Sequence, residues 1–173
     1  MSNIKNLACC VRIIDVGTQR FDEKTKKNKT FFRRMIFLGF ETESLPGVVY
    51  KKYELSIKEG SPLRRDVEKI FREQLSPDWI KRFNVKELIG KYCEIVCLKD
   101  RSPSRLGVYK VNQVNQISID IKLENLFKPK TPFYLLVASS ADEDLVNSLP
   151  ARIQDQIKSS PEFIASQNEL DEY

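Results

Sequence analysis

Basic and aromatic side chains alternate along one stretch of this sequence: Arg20, Phe21, Lys24, Lys26, Lys27, Lys29, Phe31, Arg33 and Arg34, then Tyr50, Lys51 and Lys52. Closely spaced cations follow a phosphate backbone. Aromatic faces between them stack on unpaired bases, each contributing about 1–3 kcal/mol. Arg101 and Arg105 add positive charge in the run DRSPSR at 100–105. The chemistry this set supports is the holding of single-stranded nucleic acid, not the making or breaking of bonds.

Catalytic patterns are sparse. The chain has no histidine, the usual general base, and no Gly-x-Ser-x-Gly, phosphate-loop or zinc-deaminase signature. One nominal nuclease pattern exists: Asp78 after Pro77, with Asp120-Ile121-Lys122, would supply two carboxylates for Mg²⁺ and a lysine. Asp78 falls at a predicted helix start, where a capping role accounts for it. Cys9 and Cys10 are adjacent, and Cys93 and Cys97 lie four apart in a run that reads as a strand. Such positions share a face but are separated by about 13 Å, too far for a disulfide or a shared metal. Buried reduced thiols are expected, with no metal and no cofactor.

Charge is unevenly distributed. Of 29 basic and 24 acidic residues, two and eight fall in residues 138–173, leaving 27 and 16 in the first 137. The balance is therefore +11 for the body and −6 for the remainder, a basic body joined to an acidic tail. A surface charged only for solubility is the alternative. No apolar run approaches the roughly 20 residues of a membrane span. Residues 1–7 resemble neither a secretion signal nor a transit peptide, so a cytoplasmic location is expected, that of the host cell if a phage encodes the chain.

The elements that must carry these side chains follow from periodicity. Residues 8–16 are apolar and β-branched and read as strand one, with Cys9, Val11 and Ile13 as its core face. Residues 19–29 are polar and aperiodic and read as a long positive loop. Strand two spans 30–42, with Gly39 suggesting a bulge, and strand three spans 48–58, with Tyr53, Leu55 and Ile57 on one face. Ser61-Pro62 opens a helix that buries Leu63, Val67, Ile70 and Phe71. Further helical starts at Ser76-Pro77 and at Asn84, with Glu87 completing a capping box, extend this insert to Gly90. Strands at 92–99 and 107–117 follow.

Three strands, a helical insert and two strands are what an OB-fold requires: a five-stranded Greek-key barrel with its helix between strands three and four. The expected domain is residues 1–137. Residues 133–137 form an extra edge strand, 138–161 a short helical extension split at Leu149-Pro150, and 162–173 a flexible acidic tail. The OB architecture binds on strands two and three, flanked by the loops between strands one and two and between four and five. The expected DNA-binding set is therefore Arg20, Phe21, Lys24, Lys26, Lys27, Lys29, Phe31, Arg33, Arg34, Tyr50, Lys52, Arg101 and Arg105. Phe32, Ile36, Leu38 and Phe40 share one face of strand two and are expected in the core. Phe31, Met35 and Phe37 share the other. Tyr109 fits either a seal on the barrel or a DNA contact.

The runs YELSI (53–57), LRRDVE (63–68), LIGKYC (88–93) and LPARIQDQI (149–157), with SPE at 160–162, resemble a family of small bacteriophage proteins. These are OB-fold, single-stranded-DNA-binding-like proteins of the replication and recombination region. The resemblance covers most of residues 8–163 and rests on structural words rather than catalytic ones, so it implies the fold and a DNA-binding role but assigns no site residue. More loosely, the tail resembles the acidic C-termini of bacterial and phage single-strand-binding proteins, which commonly end in phenylalanine where this chain ends in Tyr173. In that reading Leu170 and Tyr173 anchor on a replication or recombination protein, Asp171 and Glu172 steer the encounter, and the tail competes with DNA for the groove. An OB-fold adaptor that binds only protein is the alternative from a different class.

Overall fold

The computed structural model describes residues 4–23, 29–99, 109–117 and 126–170. Strands β1 (Ile4–Glu23), β2 (Lys29–Thr42) and β3 (Val48–Glu54) lead into helices α1 (Pro62–Phe71) and α2 (Pro77–Arg82) and a 3₁₀ turn at Val85–Leu88. Strands β4 (Tyr92–Lys99), β5 (Tyr109–Asn115) and β6 (Tyr134–Val137) follow, then helices α3 (Glu143–Asn147), α4 (Ala151–Lys158) and α5 (Pro161–Leu170). The protein is mainly β, with the helical insert between β3 and β4 as the sequence predicts.

All six strands belong to one sheet. Its path is β3-β2-β1-β4-β5, antiparallel at every step, and β6 adds to β1 in parallel. β3 and β5 stand at opposite ends of that path yet approach within 8 Å between Cα atoms. The sheet therefore curls on itself, but no ladder closes it among the described residues. The expected closed barrel is observed as an open, curled sheet.

β1 is longer than its apolar run suggests. Gln19 to Glu23 belong to the strand, paired with Arg33 to Lys29 of β2, so only residues 24–28 of the expected loop remain, and these lie outside the described residues. The register slips by one between Cys10 and Arg12 and again between Asp15 and Thr18. Each slip inserts an extra β1 residue and inverts which side chains face which side. Ala8, Cys10 and Ile13 consequently enter one core, and Ile14 and Val16 another. Cys9 and Val11 are buried, but of the expected trio only Ile13 joins the main core.

The expected bulge at Gly39 is instead on β1, opposite it. Gly39 serves close packing: a Cβ there would lie 2.8 Å from the Tyr50 ring and 3.0 Å from the Arg12 Cβ. Strand two is apolar on both faces because both are covered. Ile36, Leu38 and Phe40 pack with α1 in the main core, whereas Met35 and Phe37 lie beneath the C-terminal helices. Phe32 departs from the expected core set. It lies beyond the point where β2 leaves β3 and is 65% exposed.

The helix starts follow their capping chemistry. Ser61 and Ser76 accept N–H bonds from Arg64 and Trp79, each with proline at the first helical position, and Asn84 and Glu87 complete the capping box. Burying Leu63, Val67 and Ile70 stabilises α1 by about 1.5–3 kcal/mol for each side chain. The chain after residue 160 corrects the expectation of an unfolded tail. Ser160 accepts the Phe163 N–H (3.3 Å), α5 follows, and Phe163 is only 7% exposed. Helices α3 to α5 share the second core with β1 and β2 through Val146, Leu149, Ile153, Ile157 and Phe163. All four cysteines are buried thiols, and burial pushes Cys9 and Cys97 up to about 11.

One charged side chain of α1 faces inward. Asp66 is 6% exposed and accepts hydrogen bonds from Lys51 Nζ and Tyr53 Oη, both at 2.7 Å, joining α1 to β3. Removing one member of a buried pair strands the other charge. Asp66→Ala is expected to lower unfolding free energy by about 3–5 kcal/mol, whereas Asp78→Ala, at an exposed pair, should change it by no more than about 0.5 kcal/mol. Urea denaturation of the two variants measures both, and equal losses would contradict this role for Asp66.

Candidate nucleic-acid interface

β3 accompanies β2 only from Met35 onward, with one further bond from Leu55 N–H to Arg34 C=O (2.8 Å). From Thr18 to Glu23 and from Lys29 to Arg34, β1 and β2 continue as a two-stranded ribbon. Directly opposed residues of an antiparallel pair share a face, so the Phe21–Phe31 pair lies on the same side as Arg33, Met35 and Phe37.

That side carries the densest grouping of the expected site residues. The Arg33 guanidinium sits 5.2 Å from the Phe31 ring centroid while Nη1 donates to Glu54 at 2.7 Å. Lys52, opposite Phe37, holds its ammonium 5.6 Å from the Phe21 ring centroid and 5.8 Å from that of Phe37. A surface recess of about 390 Å³ opens here, lined by Phe21, Phe31, Arg33, Met35, Glu54 and Pro62. Desolvation lowers the Lys52 ammonium below the usual lysine value, and the neighbouring positive charge of Arg152 lowers it further. Arg152, at the start of α4, is a site residue that sequence reasoning misses, because it lies in the acidic part of the chain and only tertiary packing brings it to Lys52.

Other expected residues are engaged elsewhere. Arg34 grips Asp15 through Nε (2.9 Å) and Nη2 (2.6 Å), and this bond raises its pKa. Tyr50 Oη accepts from Arg12 Nη1 at 3.0 Å and packs beside the second core. Lys51 is held by Asp66. Arg20 pairs with Asp22 on the exposed ribbon, and Lys29 is exposed beside it. Tyr109 packs against the main core. Lys24, Lys26, Lys27, Arg101, Arg105, Asp171, Glu172 and Tyr173 lie outside the described residues, as does the side chain of Leu170. Of the nominal nuclease pattern, Asp78 is exposed and pairs with Lys81 (3.6 Å), while Asp120 and Lys122 lie outside the described residues.

The ribbon is braced on its β1 edge. Glu162 of α5 accepts the Thr18 N–H (2.9 Å) and hydroxyl (2.5 Å), and Gln19 Nε2 donates to the Gln156 carbonyl of α4 (2.8 Å). Gly17 makes this approach possible: its φ is +71°, and a Cβ would stand 2.6 Å from Glu162 Oε2. Partial burial raises the Glu162 pKa, but the Thr18 bonds and the Arg34 charge outweigh it, so the net shift is downward from 4.5.

A depressed carboxylate pKa stabilises the fold fully above its unfolded value, and the contribution disappears as pH falls through the folded value. Glu162→Gln is therefore expected to cost about 1–2 kcal/mol at neutral pH, the difference from the parent protein shrinking as pH falls below 4.5. Thermal denaturation of both proteins across that range checks the sign, and a gap that widened in acid would overturn it. Among the described residues no group of three or more histidine, cysteine or carboxylate side chains is placed to hold a metal, and no helix is long and apolar enough to cross a membrane. No family model, curated protein or solved structure matches this chain.

Proposed function

We propose that this protein binds single-stranded DNA on the ribbon face formed by Phe21, Phe31, Arg33 and Lys52, without chemistry and without a cofactor. The observation that carries the reading is an open recess lined by the Phe21 and Phe31 rings and Arg33, with the Lys52 ammonium 5.6 Å from the Phe21 ring and the charge of Arg152 acting on Lys52. Rings offer faces to any base and cations follow phosphates, so the surface suits a strand with its bases unstacked.

The fold supports the same reading. A central β1 flanked by β2 and β4, helices between β3 and β4, and the approach of β3 to β5 are the features of an OB-type barrel left open at one seam. The ribbon then stands where such a barrel carries its first binding loop. The resemblance of several sequence runs to phage single-stranded-DNA-binding-like proteins agrees, and a role in phage replication or recombination follows from it. Residues 169–173, with three acids among them, are the segment proposed to compete for the basic face and to engage a partner protein.

Fluorescence anisotropy with labelled oligo(dT) and a matched duplex at two salt concentrations tests the proposal. The single strand alone should bind, weakening with salt at a log–log slope of about −0.7 per phosphate contacted. Reversing Lys24, Lys26, Lys27 and Lys29, the lysines that the sequence places in a polar turn, to glutamate should lower affinity at least about tenfold with little change in melting temperature. No binding at low salt would favour the protein adaptor, and Mg²⁺-dependent cutting would favour a nuclease.

A further inference from the structure

The ribbon has a second face. Opposed residues Arg20 and Phe32 share it with Asp22, Thr30 and Arg34, on the side away from Phe21 and Phe31. Among the described residues Phe32 is the most exposed of the large hydrophobic side chains, at 65%. A scattered exposed ring is ordinary on a protein surface. This one differs in its setting, because two arginines flank it on the same face, each paired with a carboxylate. Asp22 Oδ1 accepts from Arg20 Nε (3.0 Å) and from Thr30 Oγ1 (2.8 Å), holding the guanidinium on the face where Arg20 stands opposite Phe32 in register. The terminal nitrogens of Arg20 have no acceptor among the described residues. On the other side of Phe32, Arg34 is locked to Asp15.

The two edges of the ribbon are also unlike. The β1 edge meets Glu162 and Gln156 of the C-terminal helices, while the β2 edge from Lys29 to Arg33 is uncovered by β3. The uncovered β2 edge, past Lys29, gives a chain lying on the Phe21–Phe31 face a path to Phe32 and Arg20.

From this geometry we infer that Phe32 is a second base-stacking residue, with Arg20 as its phosphate partner, so that single-stranded DNA wraps the β2 edge and is gripped on both faces of the ribbon. The inference rests on the DNA-binding reading above. Its chemistry is a π-face for an unpaired base beside oriented N–H donors for the adjoining phosphate. An apolar peptide would gain nothing from the guanidinium, which favours nucleic acid as the occupant.

The test uses the full chain and oligo(dT) long enough to saturate the parent protein. Phe32→Ala should weaken binding about 5- to 150-fold, the range expected when one stacked base is lost. Its melting temperature should change little, because the side chain is 65% exposed. Phe32→Trp should retain affinity, and its fluorescence should be quenched as DNA saturates the protein. Phe31→Ala should add to the loss in Phe32→Ala instead of replacing it, as two separate stacked bases require. If the parent binds oligo(dT) while Phe32→Ala binds equally and the tryptophan variant is not quenched, the two-faced grip is wrong and the first-face reading stands. If the parent itself does not bind, both readings fall together.

Discussion

β1 runs for twenty residues, and each residue brings a backbone donor and acceptor that must be paired along two edges while its side chains fill two faces. The rest of the architecture answers that demand. β2 lines one edge for most of its length. The other edge is divided between β4 from Ile4 to Cys9, β6 from Arg12 to Asp15, and the Glu162 carboxylate at Thr18. The two register slips let one strand supply two cores, since each passes alternate side chains to the opposite side. Helix α1 covers the first core, and α3 to α5 cover the second. The C-terminal helices are thus part of the packed body that the central strand organises.

The same economy governs the charges. Asp15, Asp66, Glu41 and Glu162 all work inside the fold. Asp15 holds Arg34, Asp66 holds Lys51, Glu41 accepts the backbone N–H groups of Lys130 and Thr131, and Glu162 holds Thr18. Two of the basic residues that sequence proximity would group with a binding surface are therefore consumed as structural partners. Among the described residues near the ribbon, Arg20 and Arg33 have exposed carboxylate partners, Asp22 and Glu54, while Lys29, Lys52 and Arg152 have no salt bridge. Burial and, after it, the charge of Arg152 lower the Lys52 ammonium below the usual lysine value.

Much of the fold was legible in the sequence because its signals are local. Ser-Pro pairs and the Asn84–Glu87 box state where helices begin, the run 92–99 states where β4 lies, and the strand expected over 48–58 is observed over Val48–Glu54, short of Leu55 and Ile57. What escaped was set by tertiary contact. A bulge leaves no mark on composition, so the face assignment of Cys9 and Val11 depended on pairing that only β2 reveals. Residues 19–23 read as loop because a two-stranded ribbon with two wet faces lacks apolar alternation. Phe32 read as core because alternation extends past the point where β3 stops covering it. The Ser160-Pro161 pair carries the same helix signal as Ser61-Pro62, but the acidic composition beyond it argued for disorder, and the burial of Phe163 decided otherwise. Of the candidate site, the Phe21–Phe31–Arg33 grouping was legible as a basic and aromatic run, while Arg152 was not.

The Thr18–Glu162 contact spans 144 positions of the chain, and β6 reaches β1 from about 120 positions away. During synthesis the middle of β1 therefore waits, with an unpaired edge and the uncovered apolar groups of Ile14, Val16, Met35 and Phe37, until the segment from β6 to Glu162 has left the ribosome. Contacts of such separation slow folding, because loop entropy is lost before the contact is gained. A nascent chain in that state exposes strand edge and hydrophobic surface together, the combination that promotes association between unfinished copies. The bulges and the polar ribbon, which twist and wet that same strand, oppose such pairing for as long as β1 waits.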